Sequence, residues 1–173
     1  FTREEIAALY SQHTCETGQT FDPEAVELIW SQTQGQPWLV NAVAREVIVK
    51  ILQSDYTLPV TAPLAAQAIQ NIILRRDTHI DSLLERLKEE RVRKVIEPLI
   101  TGDMQSVDKQ SDDYHYVRDL GLIRDIPGGF EPSNPIYAEV IVRTLSYNTQ
   151  DALSDSSYPY RMPRYLKNGV ILT

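Results

Sequence analysis

The residues best placed to do chemistry form the short stretch Gly35-Gln36-Pro37-Trp38, between two predicted helices. Glycine permits a sharp reversal of the chain, and proline presets the backbone for the first turn of a helix. Gly35 also suits the left-handed residue that ends the preceding helix. The pattern therefore predicts a corner between helices, and the residues alone leave open whether that corner is structural or meets a ligand.

Other catalytic or binding patterns are missing from the sequence. It contains neither GxxxxGK[ST] nor GxGxxG, and Gly128-Gly129 lies in a predicted hairpin turn rather than between a strand and a helix. His13 and Cys15 are two residues apart near a helix end, so they point in different directions, and a second pair of metal ligands is missing. We therefore predict no catalytic residues and no metal site.

The composition predicts a folded cytoplasmic protein. Of the 173 residues, 42% are hydrophobic, enough for the packed core of one domain or two small ones. The apolar runs are too short to span a membrane, and the single cysteine, Cys15, fits a reducing compartment. Because Phe1 is not a start methionine, we expect the numbering to begin inside a longer chain or after processing.

Residues 1–76 read as a compact bundle of four helices. Thr2-Arg3-Glu4-Glu5 has the pattern of a capping box, and Asp22-Pro23 is a second helix start. Pro37 opens a third helix with a wide apolar face, which predicts a central position in the bundle. A fourth helix is predicted after Thr61.

Residues 77–147 read as a winged-helix domain. Three amphipathic stretches are followed by a hairpin, in which a Pro-Gly-Gly turn separates Ile126 from Phe130. Asn134-Pro135 then starts a last helix. Residues 148–173, rich in Ser, Asp, Tyr and Pro, are predicted to form an extended tail. The predicted fold class is mainly α: a helical, lid-like bundle followed by a winged helix with one β-hairpin.

Four segments of the sequence carry a family resemblance. These are "TQGQPWLVNAVA", "RRDTHIDSLLERLKEERVRKVIEPLITG", "DLGLI" and "SNPIYAEVIVRTL". Over residues 1–147 the chain resembles prokaryotic AAA-like P-loop ATPases of the STAND and archaeal-ATPase-like group. Such proteins have a P-loop core first, a helical lid second and a winged helix third. The chain resembles the lid and the winged helix only.

The resemblance implies a nucleotide contact at the corner. In such ATPases a Gly-x-Pro turn packs against the adenine of a nucleotide held by the core. Carried over, this role falls on Gly35, Gln36 and Pro37, with Trp38 adjacent. Glycine lets the backbone approach a flat base, and proline offers an apolar face without an N–H. ATP and Mg²⁺ are expected only together with the N-terminal NTPase core as partner, and this chain alone should hold no cofactor.

The lids of AAA-like ATPases often supply an arginine that senses the γ-phosphate. The candidates are Arg45 on the third predicted helix and Arg75 or Arg76 at the end of the fourth. No motif selects among them, so the identity of a sensor arginine stays open.

The charges disfavour DNA as a partner. The net charge is -7, and residues 77–147 hold 14 acidic against 9 basic residues. The predicted recognition helix carries Asp112, Asp113 and Asp119 against Arg118, and such carboxylates repel phosphates. We therefore expect the winged helix to contact protein and relay a nucleotide signal. A winged-helix DNA-binding regulator and a plain protein-interaction module are the alternatives.

Overall fold

The computed structural model describes residues 1–75, 78–103 and 106–155, and for residues 78, 79, 84 and 146–155 it describes the backbone only. This part of the chain is mainly helical with one hairpin, which confirms the predicted fold class. Every helix within it is too short or too polar to cross a bilayer. The elements are α1 (Arg3–Thr17), α2 (Pro23–Thr33), α3 (Pro37–Arg45), a π-helical segment (Glu46–Ile51), α4 (Ala62–Arg75), α5 (Thr78–Leu87), α6 (Glu90–Thr101), α7 (Asp112–Asp119), β1 (Ile123–Ile126), β2 (Gly129–Pro132) and α8 (Pro135–Asp155).

The first two helices begin where the sequence predicts. The capping box of α1 is formed: the Glu5 backbone N–H donates to Thr2 Oγ1 at 3.2 Å, and the Thr2 N–H donates to Glu5 Oε2 at 2.7 Å. Asp22 precedes α2, but its side chain makes no capping hydrogen bond. Its backbone N–H instead donates to the Val60 carbonyl oxygen at 2.9 Å. That bond ties the start of α2 to the loop before α4.

The third helix is not one regular α-helix. After α3 the chain continues as the π-helical segment, in which hydrogen bonds span five residues, as in the 2.9 Å bond from the Leu52 N–H to the Val47 carbonyl. Three consecutive residues at its start are buried: Glu46, Val47 and Ile48. The apolar spacing fitted an α-helix as well, so the sequence did not indicate the change.

The second half has the helix, helix, helix, hairpin order of the prediction. β1 and β2 pair antiparallel, with Ile126 opposite Gly129, and Gly128 adopts a left-handed φ of 85° in the turn between them. Tyr114 on α7 and Phe130 on β2 are almost fully buried, with ring centroids 5.3 Å apart in an edge-to-face arrangement. This aromatic pair packs the hairpin against α7.

The last helix, α8, ends later than predicted. The extended tail predicted for residues 148–173 is wrong over 148–155, where the backbone is helical. Neither glycine nor proline occurs between Pro135 and Pro159, so the sequence holds no strong helix breaker in that interval. The rest of the predicted tail, residues 156–173, lies outside the described residues.

The helix α8 packs against both predicted units. It contacts α2 and α4 of the first and α5 of the second. Its buried side chains belong to one hydrophobic core together with residues of α2 and α4. The predicted boundary between residues 76 and 77 lies outside the described residues, and the division into two domains stays a prediction.

Candidate functional site

The α2–α3 corner, which we define as Thr33–Trp38, turns through two residues with left-handed backbones. Gln34 has φ 48° and Gly35 has φ 73°, so the left-handed conformation predicted for Gly35 is shared with its neighbour. The Gln36 N–H then donates to the Thr33 carbonyl at 3.0 Å, which closes the reversal. Pro37 begins α3, as predicted.

Two hydrogen-bond acceptors at the start of α3 are paired within the protein. Gln36 Oε1 accepts from the Leu39 N–H at 2.9 Å and so caps α3. The Pro37 carbonyl accepts from Asn41 Nδ2 at 2.9 Å. Because these two acceptors already have donors, the corner offers a ligand the apolar face of Pro37 and the side-chain amide N–H groups of Gln36, which make no hydrogen bond to the described residues.

Gly35 is covered by the backbone of Phe1. Its carbonyl accepts a hydrogen bond of 2.7 Å from the Phe1 backbone nitrogen, and its N–H donates to Thr33 Oγ1 at 3.3 Å. A Cβ on Gly35 would lie 2.8 Å from the Phe1 carbonyl carbon, closer than real side chains approach. Glycine is therefore required here by Phe1, and a ligand that reaches Gly35 must first displace it.

The open part of the corner is the start of α3. Pro37 is exposed, while Gln36 and Trp38 are half-buried. Trp38 packs partly against the hydrophobic core. Of the four residues implied by the resemblance, three therefore reach the surface at least in part, and Gly35 does not. Nucleotide binding at these residues stays a prediction.

A guanidinium group links the corner to the hairpin. Arg124 Nη1 on β1 donates to Gln34 Oε1 at 2.8 Å, and Arg124 Nε donates to Glu131 Oε1 across the hairpin at 2.8 Å. Gln34 Nε2 in turn donates to the Ser31 carbonyl at 2.8 Å. Arg124 and Gln34 are 90 residues apart, and no sequence pattern indicates their contact. The site therefore includes two residues that the sequence analysis missed.

We expect a Gln34→Asn substitution to loosen the hairpin from the corner without unfolding the protein. Asparagine tolerates the left-handed backbone but is too short to reach Arg124. Loss of this exposed bond should cost about 0.5–1 kcal/mol. Hydrogen–deuterium exchange should then become faster in residues 123–132. Arg143→Gln, which breaks an exposed ion pair with Glu139 on α8, is the control, and equal effects on the hairpin would contradict the prediction.

The two described candidates for a sensor arginine differ in exposure and in pairing. Arg45 is exposed at the end of α3. Arg75 pairs with the buried carboxylate of Glu46. Arg76 lies outside the described residues. The choice among the three stays open.

Cations on and beside α7 are paired with carboxylates of the same chain. Arg118 lies 3.5 Å from an Asp119 oxygen. Arg91 stacks 3.7 Å above the Tyr116 ring, and its Nε lies 3.3 Å from Asp113 Oδ1. Ion pairs one helical turn apart also occur between Lys88 and Glu85, Arg93 and Glu97, and Lys94 and Glu90. Such pairing is typical of a solvated helix face rather than a phosphate-binding surface.

Comparison with known proteins found no relative of this chain. Neither family models, nor curated proteins, nor solved structures gave a match to this chain.

Proposed function

We propose that this chain is the lid and winged-helix part of an ATP-binding, AAA-like switch ATPase of the STAND type. The corner covers the adenine through Pro37 and Trp38. A P-loop core in a longer protein holds the phosphates and Mg²⁺. The chain by itself does not hydrolyse ATP, because it has no phosphate loop.

The observation that supports this proposal best is the exposed ring of Pro37 beside two acceptors, Gln36 Oε1 and the Pro37 carbonyl, that are already paired. A flat base gains apolar contact with such a surface and displaces few protein hydrogen bonds. Because Gln36 Oε1 caps α3, it does not read the edge of the base.

The contact between Arg124 and Gln34 supports a relay role for the winged helix. ATP joins the core to the corner, and the corner is already in contact with the hairpin. Hydrolysis loosens the first of these connections, which shifts the population between closed and open arrangements. The regulatory output is then a change in the position of the winged helix.

We expect Pro37→Ala to weaken ATP binding about three- to tenfold in a protein that contains both this chain and its core, because apolar contact with the base is lost. Isothermal titration calorimetry measures the affinity, and phosphate release measures hydrolysis. Pro63→Ala is a matched control, since Pro63 is also an exposed proline in the first turn of a helix. If Pro37→Ala leaves both affinity and hydrolysis unchanged, the proposed contact is wrong.

The two alternatives give different results. A plain protein-interaction module would bind its partner equally well with and without ATP. A DNA-binding regulator would shift duplex DNA in a salt-dependent way, but the paired cations beside α7 give no support for this.

A further inference from the structure

A cleft opens between the π-helical segment and α4, away from the α2–α3 corner. It is wide and open to solvent, and its volume is about 710 Å³. We call it the α4 cleft. Its lining includes Glu46, Lys50, Gln67, Asn71, Leu74 and Arg75. None of these residues has a part in the proposed adenine contact.

The floor of the α4 cleft is a buried carboxylate. The side chain of Glu46 is only 7% exposed, and its Oε1 accepts from Asn71 Nδ2 at 3.0 Å and from Arg75 Nη2. Burial opposes ionisation, but the hydrogen bonds from Arg75 and Asn71 outweigh it and lower the pKa of Glu46 below its ordinary value. Within the described part of the chain, Glu46 Oε2 makes no hydrogen bond. An ionised acceptor is therefore available to a donor in the cleft.

Two further polar groups of the cleft make no hydrogen bond to the described residues, and Lys50 acts on Glu46 only through its charge. Gln67 is exposed, and its amide makes no hydrogen bond to residues 1–75, 78–103 or 106–155. Lys50 is also exposed, and its ammonium forms neither a hydrogen bond nor an ion pair with that part of the chain. Among the lining residues that the structure describes, Lys50 and Arg75 are positive and Glu46 is negative, an excess of one positive charge. An anionic group is favoured beside Lys50.

The spacing along α4 fits an extended peptide. Gln67 and Asn71 are one turn apart, which places them about 6 Å apart along the helix axis. An extended chain repeats every two residues, or about 6.6 Å, so its polar groups on one side match this spacing. Leu74, one turn further on, is 64% exposed and offers an aliphatic surface at the end of the cleft.

We propose that the α4 cleft binds the free carboxyl terminus of a partner peptide whose last side chain is aliphatic. The terminal carboxylate accepts hydrogen bonds from Lys50 and from the amide of Gln67. The last peptide N–H donates to Glu46 Oε2, and the last side chain packs on Leu74. A basic peptide is disfavoured by Lys50. This inference does not depend on the proposed role of the α2–α3 corner.

Fluorescence anisotropy with fluorescein-Gly-Ser-Gly-Ala-Leu tests the proposal on this chain. We expect saturable binding of the peptide with a free carboxylate, and binding about tenfold weaker when its C-terminus is amidated, the loss of a charge-assisted hydrogen bond. A peptide with an internal aspartate and an amidated terminus should bind as weakly as the amidated one. Absence of saturable binding up to millimolar protein, or equal binding of the three peptides, would overturn the proposal.

Matched variants locate the binding to the cleft. Lys50→Gln and Gln67→Ala should each weaken binding several-fold, and both residues are exposed, so the fold should persist. Gln70→Ala is the control, because Gln70 is also exposed on α4 but does not line the cleft. Circular dichroism checks that each variant is folded. If Gln70→Ala weakens binding as much as Gln67→Ala does, the proposed place of binding is wrong.

Discussion

Replacing Arg75 by methionine is expected to lower the free energy of unfolding by about 3 kcal/mol at neutral pH. The substitution removes the cation that pairs with Glu46. The side chain of Glu46 is only 7% exposed, whereas that of Arg75 is 46% exposed. Only the hydrogen bond from Asn71 and the charge of Lys50 then stabilise the buried charge of Glu46. Urea denaturation measures the loss. Arg45→Met, which changes an exposed arginine at the end of α3, should cost no more than about 0.5 kcal/mol.

The cost of Arg75→Met should also depend on pH. In the native protein the pKa of Glu46 is lowered, so its ionised form contributes stability above its ordinary pKa, and this is lost as pH falls through the lowered pKa. Without Arg75, fewer interactions favour the ionised form of Glu46, so burial raises its pKa. Protonation near pH 4 then removes the buried charge and restores part of the variant's stability. The difference in stability between the two proteins should therefore shrink from pH 7 to pH 4. A constant difference would show that the ion pair is not its source.

Replacing Gly35 by alanine should cost about 3 kcal/mol. Part of this loss comes from the left-handed backbone, which costs about 1 kcal/mol in any residue with a Cβ. The rest comes from the clash of the new Cβ with the backbone of Phe1. Gly18→Ala separates the two terms, because Gly18 has φ 80° but a Cβ there would point into open space.

Thermal unfolding of both alanine variants tests this explanation. Gly18→Ala should lose only the backbone term of about 1 kcal/mol. Equal losses of stability at the two glycines would mean that the Phe1 backbone moves away from Gly35 at little cost in free energy. The covered face of the corner would then be accessible to a ligand.

Local patterns in the sequence predicted where most helices begin. Thr2 and Glu5 form the expected capping box, and Pro23 and Pro37 open their helices as expected. Asn134 Oδ1 accepts from the Tyr137 N–H at 2.9 Å at the start of α8. Each of these signals depends on residues within one helical turn, so a single sequence is sufficient to read them.

Contacts between distant residues could not be predicted in the same way. The sequence located the corner but not the chain that covers one side of it, so it did not indicate that Phe1 lies on Gly35. The bond between Gln34 and Arg124 leaves no local pattern either.

One distant contact did have an overlooked clue in the sequence. Glu46 lies among the apolar residues Val43, Val47 and Ile48, and a carboxylate among buried residues needs a partner. Its partners, Asn71 and Arg75, are one turn apart on α4 and face the same side.

The π-helical segment has a mechanical consequence. A regular α-helix is stiff along its length, so a displacement of its first turn at Pro37 would move the whole helix as a rigid body. In this protein the α-helical turns of α3 give way at Glu46 to the wider turns of the π-helical segment. The ion pair between Glu46 and Arg75 connects this point of the helix to α4. A displacement that enters at Pro37 therefore meets a change of helical geometry and an ion pair to α4 before it reaches Ile51.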